Sequence, residues 1–242
     1  KASAEPTMPN DTPAPQTKIT KKYIRIQATD SSLWKYNRKT HTLIITGNGG
    51  TNSESAAIID ADSQMDKDDG QRYNIGSFSL DSTAKGRHAA NELITKTEKI
   101  IIKDGITTIN SAAFASFQSL TKITIPNSVK KIGDFALKDC KRLQQITIPA
   151  SVVKIGGGAF ENCTNLYDIK FESGSNCNSM ENYPNNPGSS PIQNCKSLRT
   201  FQMPNRIKYI SKYFFEGCDS LESVSFGKNF RGYQMTFGDE NI

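Results

Sequence analysis

Cysteine is the residue type in this chain with the greatest capacity for chemistry, and it occurs five times. Four of the cysteines follow one another at intervals of 23, 32 and 23 residues: Cys140, Cys163, Cys195 and Cys218. A zinc site favours close pairs such as C-x-x-C, and the sequence has none. One interval earlier the same position is Phe117, which indicates a position filled by packing, because free Cys packs as a small hydrophobe. We predict that these four cysteines are buried, reduced and free of metal, stacked in a column by a repeating structure. Neighbouring strands lie ~4.8 Å apart, a spacing that does not exclude a disulfide bond between them. A bond between Cys177 and Cys195 also stays open.

Histidine and clustered acids are the other candidates for a reactive or metal-binding site. The only histidines are His41 and His88, and no Ser-His-Asp or Cys-His spacing surrounds either of them. The acidic stretch DADSQMDKDDG at 60–70 has the composition of a calcium loop but lacks its Gly at the sixth position and its Glu at the twelfth. We therefore predict no catalytic residue, no metal and no cofactor. Because a catalytic triad assembles in space, a hydrolase with a site in residues 50–96 or 172–191 stays open as an alternative.

A repeat determines the elements that position any site. Leu120, Leu143 and Leu166 are 23 residues apart, as are Leu198 and Leu221, and Thr97 occupies the same position one repeat earlier. Apolar residues follow each start by three and by five positions, with polar residues between them, which predicts a short half-buried strand. Three prolines end these strands, since proline cannot donate a ladder hydrogen bond: Pro126, Pro149 and Pro204.

A fixed period between twenty and thirty residues predicts a solenoid, in which each repeat is one coil stacked on the previous one. Equivalent apolar positions of successive coils then form continuous internal columns. In this register Ile125 and Ile148 belong to the core, while Thr124 and Thr147 face outward. Trp34 is expected to cap the core of the first coil.

The pattern L-x-x-I-x-I-P-x-S-V-x-x-I-G-x-x-A-F-x-x-C over residues 120–165 resembles the BspA-like (Treponema-type) leucine-rich repeat family of bacterial surface proteins. The stretch LWKYNRKTHTLIITGNG at 33–49 is similar to a segment that often precedes such repeats. The resemblance implies an α/β, β-rich solenoid: a right-handed leucine-rich-repeat superhelix of about five to six coils with a β-rich N-terminal cap. It also implies a secreted or surface-anchored protein that acts by binding, through adhesion or protein contacts, and not an enzyme.

Composition divides the chain into three parts. Residues 1–18 contain four prolines and no apolar periodicity, which predicts a flexible spacer. Residues 19–96 form the β-rich cap with an irregular segment. The solenoid occupies 97–242, with an insertion at 172–191, because the coil that starts at Leu166 takes 32 residues. We expect the spacer to hold the protein away from a surface, anchored through a removed N-terminal segment that carries a lipid.

The net charge of +6 is dispersed, with 13 Lys and Arg against 11 Asp and Glu in residues 1–96 and 17 against 13 in residues 97–242. Nucleic-acid binders concentrate charge on one face, so we predict no nucleic-acid partner. No apolar run approaches the roughly 20 residues of a membrane helix, so we predict no transmembrane segment in this chain.

The outward residues of successive strands are the predicted binding surface for an extracellular protein or glycan, including host-derived ones. The insertion adds two apolar anchors, Met180 and Tyr183. The remaining candidate residues lie on the strands: Lys99, Lys122, Thr124, Gln145, Thr147, Lys170 and Gln202. A passive spacer or assembly module, whose strand surfaces are simply solvated, is a further alternative.

Overall fold

The computed structural model describes residues 23–27, 32–47, 57–58, 91–180, 182 and 189–233, with side chains described at 34–47 and from 91 onward. Several sequence predictions concern residues outside these ranges and stay predictions. They are the spacer 1–18, the acidic stretch 60–70, His88 and Tyr183.

Two ladders of short strands run along the described chain. The long ladder contains β1 (Tyr23–Gln27), β2 (Ser32–Asn37), β3 (Thr42–Gly47), β5 (Lys99–Ile102), β7 (Lys122–Thr124), β9 (Gln145–Ile148), β11 (Asp168–Phe171), β13 (Thr200–Gln202) and β15 (Ser223–Ser225). The short ladder contains β4 (Ala57–Ile58), β6 (Thr108–Ile109), β8 (Lys131–Ile132), β10 (Lys154–Ile155), β12 (Ser179–Met180), β14 (Tyr209–Ile210) and β16 (Gly232–Tyr233). Within the described residues helix is limited to α1 (91–96). The predicted β-rich solenoid of about six coils is confirmed.

The pairing of the strands follows the sequence repeat position by position. Ile100 lies opposite Ile123, and on the short ladder Ile109 lies opposite Ile132. Both pairs are parallel and join residues 23 apart. Where two neighbouring strands of the long ladder are not paired by hydrogen bonds, as for β7 and β9 or β11 and β13, they still lie side by side. Each coil therefore contributes one strand to each ladder.

Alternation along each strand separates core from surface, as predicted. Ile125 and Ile148 are buried, whereas Thr124 and Thr147 are exposed. Each coil stacks the same apolar positions on the coil before it, and one fully buried Leu, Ile or Phe stabilises the fold by roughly 1.5–3 kcal/mol. The core is thus one continuous apolar column that runs along the solenoid.

The strands of residues 23–47 cover the first coil. β2 pairs antiparallel with both β1 and β3, and β3 then pairs in parallel with β5. Trp34 is fully buried and packs on Phe114, with ring centroids 5.7 Å apart, so its predicted capping role is confirmed. The β2–β3 turn is held to α1 by Arg38, whose Nε and Nη2 donate to the Glu92 carboxylate at 2.7 and 2.6 Å.

Opposite the strands, each coil returns through an arm made of turns. One position of this arm adopts a left-handed backbone in five successive coils, with φ between 58° and 71°. These residues are Ser116, Asp139, Asn162, Asn194 and Gly217. Gly, Asn and Asp accept positive φ at low cost, which accounts for most of these residue types. Asn162 Nδ2 donates to Asp139 Oδ1 at 3.0 Å, and Asn194 Nδ2 donates to Asn162 Oδ1 at 2.9 Å, so the column also joins three coils.

The coil that starts at Leu166 accommodates its additional residues without losing its place in the short ladder. β12 pairs with β10, and this places Met180 opposite Ile155 with only 3% of its side chain exposed. The prediction that Met180 is an exposed apolar anchor is therefore wrong, because strand alternation turns it into the core. Cys177 is also buried. Most of the excess follows β12: nine positions separate Met180 from Ser189, against two between Ile155 and Gly157.

The coil that starts at Leu221 is covered on only one side within the described residues. Its apolar positions follow the repeat, yet Phe226 is 48% exposed and Tyr233 62%. The equivalent residues of the preceding coil, Met203 and Ile210, are each 2% exposed. The difference arises because β15 and β16 pair with a preceding coil only.

Candidate functional site

The outward side chains of the long ladder form one extended surface, the long-ladder face. Parallel register aligns the first residues of successive strands and, beside them, the third residues. Seven of the predicted binding residues lie together on this face, and all seven are exposed: Lys99, Lys122, Thr124, Gln145, Thr147, Lys170 and Gln202. Their role in binding stays a prediction.

The chemistry of the long-ladder face is polar and mildly basic. Its columns present lysine ammonium groups, threonine and serine hydroxyls and glutamine amides, with Asp168 as the acidic member. Neighbouring strands are ~4.8 Å apart, so these groups form a regular two-dimensional array. Such an array provides hydrogen-bond donors and acceptors to a flat partner surface.

Tyr167 is a surface residue that the sequence analysis missed. It lies just before β11, its side chain is 41% exposed, and its hydroxyl accepts a hydrogen bond from Gln145 Nε2 on the long-ladder face. The equivalent positions of the other coils are polar or charged, for example Gln144 and Arg199. The signal was present as a single aromatic residue in an otherwise polar column. Tyrosine supplies a large rigid contact area with a polar tip, which suits recognition.

The cysteine column lies inside the solenoid, away from the long-ladder face. All five cysteines are unpaired and buried. In four of them Sγ donates to a backbone carbonyl of the preceding coil; Cys140 contacts Phe114 O at 3.2 Å and Cys163 contacts Leu137 O at 3.2 Å. The position therefore satisfies a backbone acceptor as well as filling space, which explains a preference for Cys over Val or Ala.

Burial makes these thiols poor nucleophiles. Desolvation raises the pKa of Cys140 to about 12 and that of Cys177 to about 12. The same cause raises the pKa of Cys163 well above its ordinary value. Because the thiolate is the reactive form, the cysteine column has the properties of a structural element.

His41 is engaged in the junction between the N-terminal strands and the first coil. Its Nδ1 lies 3.0 Å from Glu98 Oε1, and its backbone oxygen accepts from Glu98 N at 2.9 Å. The hydrogen bond from His41 is the main cause that holds the pKa of Glu98 below its ordinary value. The pair thus links the β2–β3 turn to the residue that precedes β5.

Across residues 34–47, 91–180 and 189–233 no group of three or more His, Cys, Asp or Glu side chains is arranged to hold a metal ion. Over the described chain, no helix has the length and apolar character needed to cross a membrane.

Solved structures similar to this chain are themselves leucine-rich repeat proteins. A leucine-rich repeat protein from Bacteroides ovatus shows 28% identity and a TM-score of 0.46, over 56% of this chain and 33% of that one. A leucine-rich repeat protein of T. pallidum shows 22% identity and a TM-score of 0.42, over 54% of this chain and 73% of that one. The pneumococcal vaccine antigen PcpA shows 18% identity and a TM-score of 0.43, over 85% of this chain and 50% of that one. The chain thus spans about a third of the Bacteroides protein and half of PcpA.

Comparison with curated protein sequences gives no match. The assignment to a family rests instead on the repeat itself. The family model for the BspA type leucine rich repeat region matches residues 91–186 and 176–237, in six copies. These residues are more than half of the sequence, and the chain belongs to the BspA type leucine-rich repeat family.

Proposed function

We propose that this protein is a non-catalytic binding module of a bacterial cell surface, and that it recognises a partner protein through the long-ladder face. The observation that supports this function is the exposure of seven predicted binding residues in register on one rigid surface. A surface held by backbone ladders is preorganised, so little conformational entropy is lost when a partner binds. Host-derived extracellular proteins are the proposed class of partner.

Tyr167 favours a protein over a glycan as the ligand of this face. Binding energy at protein interfaces concentrates in a few Tyr, Trp and Arg residues surrounded by polar neighbours. Tyr167 provides the aromatic ring, Gln145 orients its hydroxyl, and Arg199 occupies the equivalent position one coil later. Lys170 lies on the same coil as Tyr167 and adds an exposed ammonium group.

The test begins with an array of host extracellular proteins and glycans, probed with the intact chain at two salt concentrations. The best protein ligand is then titrated against Tyr167→Ala and against Tyr213→Ala. Tyr213 is a matched control, because it is 45% exposed but lies on the arm of its coil. We expect Tyr167→Ala to raise Kd by about thirtyfold, the value typical of an interface hot spot. Tyr213→Ala should leave Kd unchanged.

Two results would contradict the proposal. The first is that no protein on the array binds at either salt concentration. The second is that Tyr213→Ala weakens binding while Tyr167→Ala and Lys170→Gln do not, which would place the interface on the arms of the coils.

A further inference from the structure

The outward side chains of the short ladder form a second surface, which we call the short-ladder face. It consists of the first residue of each short strand and the residue before it. In the six coils these positions hold Thr107, Thr108, Lys130, Lys131, Val153, Lys154, Asn178, Ser179, Lys208, Tyr209, Arg231 and Gly232. Five of the twelve residues are cations and none is an acid.

Backbone hydrogen bonds place these cations in two clusters on one face. Lys130 N donates to Thr107 O at 2.7 Å, and Val153 N donates to Lys130 O at 2.8 Å, so Lys130 and Lys131 lie within a continuous ladder. Arg231 N donates to Lys208 O at 2.7 Å, which makes these two residues direct neighbours. The two clusters are three coils apart along the solenoid, and the first two of these steps are the hydrogen-bonded pairs β8–β10 and β10–β12.

Three cations of this face have no carboxylate partner among the described residues. Lys130, Lys131 and Lys208 are exposed and form no ion pair within the described part of the chain. Two carboxylates on turns of the solenoid are engaged by backbone groups. Asp134 Oδ1 accepts from Gly157 N at 2.9 Å, and Glu172 Oε2 accepts from Ala150 N at 3.1 Å.

The acids of the solenoid are concentrated elsewhere. Five of them lie on the arms of the coils, where two form ion pairs: Glu161 with Lys138 at 2.8 Å and Asp219 with Lys196 at 4.0 Å. The arms therefore carry acids beside cations, whereas the twelve positions of the short-ladder face include cations and no acid. Sequence order concealed this, because Lys130 and Lys208 are 78 residues apart.

We propose that the short-ladder face binds a linear anionic polysaccharide laid along the solenoid. Two separated clusters of cations require a ligand with several anionic groups along its length, since a single anion reaches only one of them. Between the clusters lie Val153 and Asn178, which are exposed, and Lys154, which is half-buried; none of these positions is acidic, so an extended anionic chain lies across them without repulsion. Tyr209 is 50% exposed beside Lys208 and offers a ring for a sugar to stack on.

Other anionic partners fit this surface less well. A duplex nucleic acid is read by an element that enters a groove, whereas this face is a flat row of two-residue strands. An acidic peptide gains most of its affinity from side chains that fill pockets, and the exposed residues between the two clusters are a single valine and small polar groups.

The experiment measures binding of heparin to the intact chain at about 0.05 M and about 0.5 M NaCl, because an electrostatic complex weakens with salt. Neutral dextran and a short duplex DNA are tested in parallel. One variant removes four cations from the short-ladder face: Lys130→Gln, Lys131→Gln, Lys208→Gln and Arg231→Gln. A control variant removes four cations from the other side: Lys99→Gln, Lys122→Gln, Lys170→Gln and Arg199→Gln. Both variants lose the same net charge from exposed positions, and circular dichroism verifies that each one folds.

We expect heparin to bind at low salt, dextran not to bind, and duplex DNA to bind more weakly than heparin. An exposed ion pair contributes a factor of roughly two to five, so the short-ladder variant, which lacks four cations, should weaken heparin binding by roughly ten- to several-hundredfold. The control variant should weaken it by less than about threefold, through net charge alone. The proposal is overturned if heparin does not bind, if both variants lose affinity equally, or if duplex DNA binds more tightly than heparin.

Discussion

Replacing Ile148 by alanine tests the whole register of the solenoid. Ile148 is fully buried, lies opposite Phe171 on the next coil and follows Ile125 in the same column. Removing its side chain beyond Cβ forfeits most of the roughly 1.5–3 kcal/mol that burial of an isoleucine contributes. The cavity adds to this loss, because neighbours held by the β9–β11 ladder on one side and by the stacked coil of β7 on the other cannot fully collapse into the space.

We therefore expect Ile148→Ala to lower the free energy of unfolding by about 3–5 kcal/mol, the upper part of the range for such substitutions. Thr147→Ala, at the adjacent exposed position of β9, should cost well under 1 kcal/mol. Phe226→Ala should lie between them, at about 1–2 kcal/mol, because Phe226 occupies the same position of the last coil but is 48% exposed. The three variants thus compare one position in two coils and two positions in one coil.

The assay is urea unfolding followed by far-UV circular dichroism and by the fluorescence of Trp34, the single tryptophan, which reports on the capped first coil. The stability of a repeat protein is a sum of contributions from single coils and from the interfaces between them. A defect in the third coil can therefore separate the transition seen by circular dichroism from the transition seen by Trp34 fluorescence. Equal losses for Ile148→Ala and Thr147→Ala would refute the strand register. A loss for Phe226→Ala as large as that for Ile148→Ala would refute the one-sided packing of the last coil.

Three further predictions concern the cysteines, the arm column and the longest coil. Because the pKa of Cys140 is about 12 when folded against 9.0 ordinarily, the thiol contributes full stability below pH about 9 and loses it as the pH rises toward 12. The double variant Cys140→Val, Cys163→Val should flatten this alkaline decline, measured as the urea midpoint at each pH. In the native protein both thiols should resist labelling and should react only on denaturation. Rapid labelling of the native protein, or a mass shift from a disulfide, would contradict this. Asn162→Ala should lower the free energy of unfolding by about 1–3 kcal/mol, because alanine disfavours positive φ and two hydrogen bonds are lost. Asn162→Gly should lower it by less, because glycine relieves the backbone strain. If thermal unfolding shows the glycine variant to be the less stable of the two, the result counts against the arm column. Replacing the additional residues between Met180 and Ser189 by the regular spacing of Ile155 to Gly157 should preserve the fold and weaken binding of the array ligand, whereas full affinity would show that the segment is passive.

The period of the sequence was sufficient to predict the solenoid, because each coil repeats the same apolar positions and, in the coils that are covered on both sides, these positions are buried. Ile123, Ile146 and Phe201 all lie where a strict 23-residue register places them, apart from the offset of the long coil. Trp34 was predictable as a cap for the same reason, since a large apolar residue precedes the first repeat and the end of the column needs covering.

Met180 shows where the periodic argument fails. The sequence predicts one excursion from 172 to 191, but backbone pairing with β10 retains Ser179–Met180 in the ladder. A ladder strand of two residues carries too little sequence signal to be recognised inside a polar, glycine-rich segment. Tyr167 failed to stand out for the opposite reason, because the predicted surface was limited to residues within strands and Tyr167 precedes one.

The charge pattern shows a second limit, which is geometric. Lys130 and Lys131 read as an isolated pair along the chain, and the two halves of the sequence have similar charge balances. Folding stacks positions that recur every coil, so a weak bias at one position becomes a continuous surface. The average charge of a solenoid sequence therefore says little about its faces, and the useful quantity is the charge at each position of the repeat.

The two proposed binding surfaces also differ in the stability of the coils that carry them. Tyr167 and Gln145 belong to coils that are covered on both sides, and their strands β9 and β11 are paired over four residues. The Lys208–Arg231 cluster belongs partly to the last coil, whose core residues Leu221, Val224 and Phe230 are only partly buried. Opening free energies in a solenoid are lower for a coil whose core residues are less buried. A ligand that bridges Lys130 and Arg231 would therefore bind this coil in its folded state only, and its binding would stabilise the coil. A protein bound at Tyr167 would meet a surface that is already rigid, so the two ligands should differ in how far they raise the stability of the last coil.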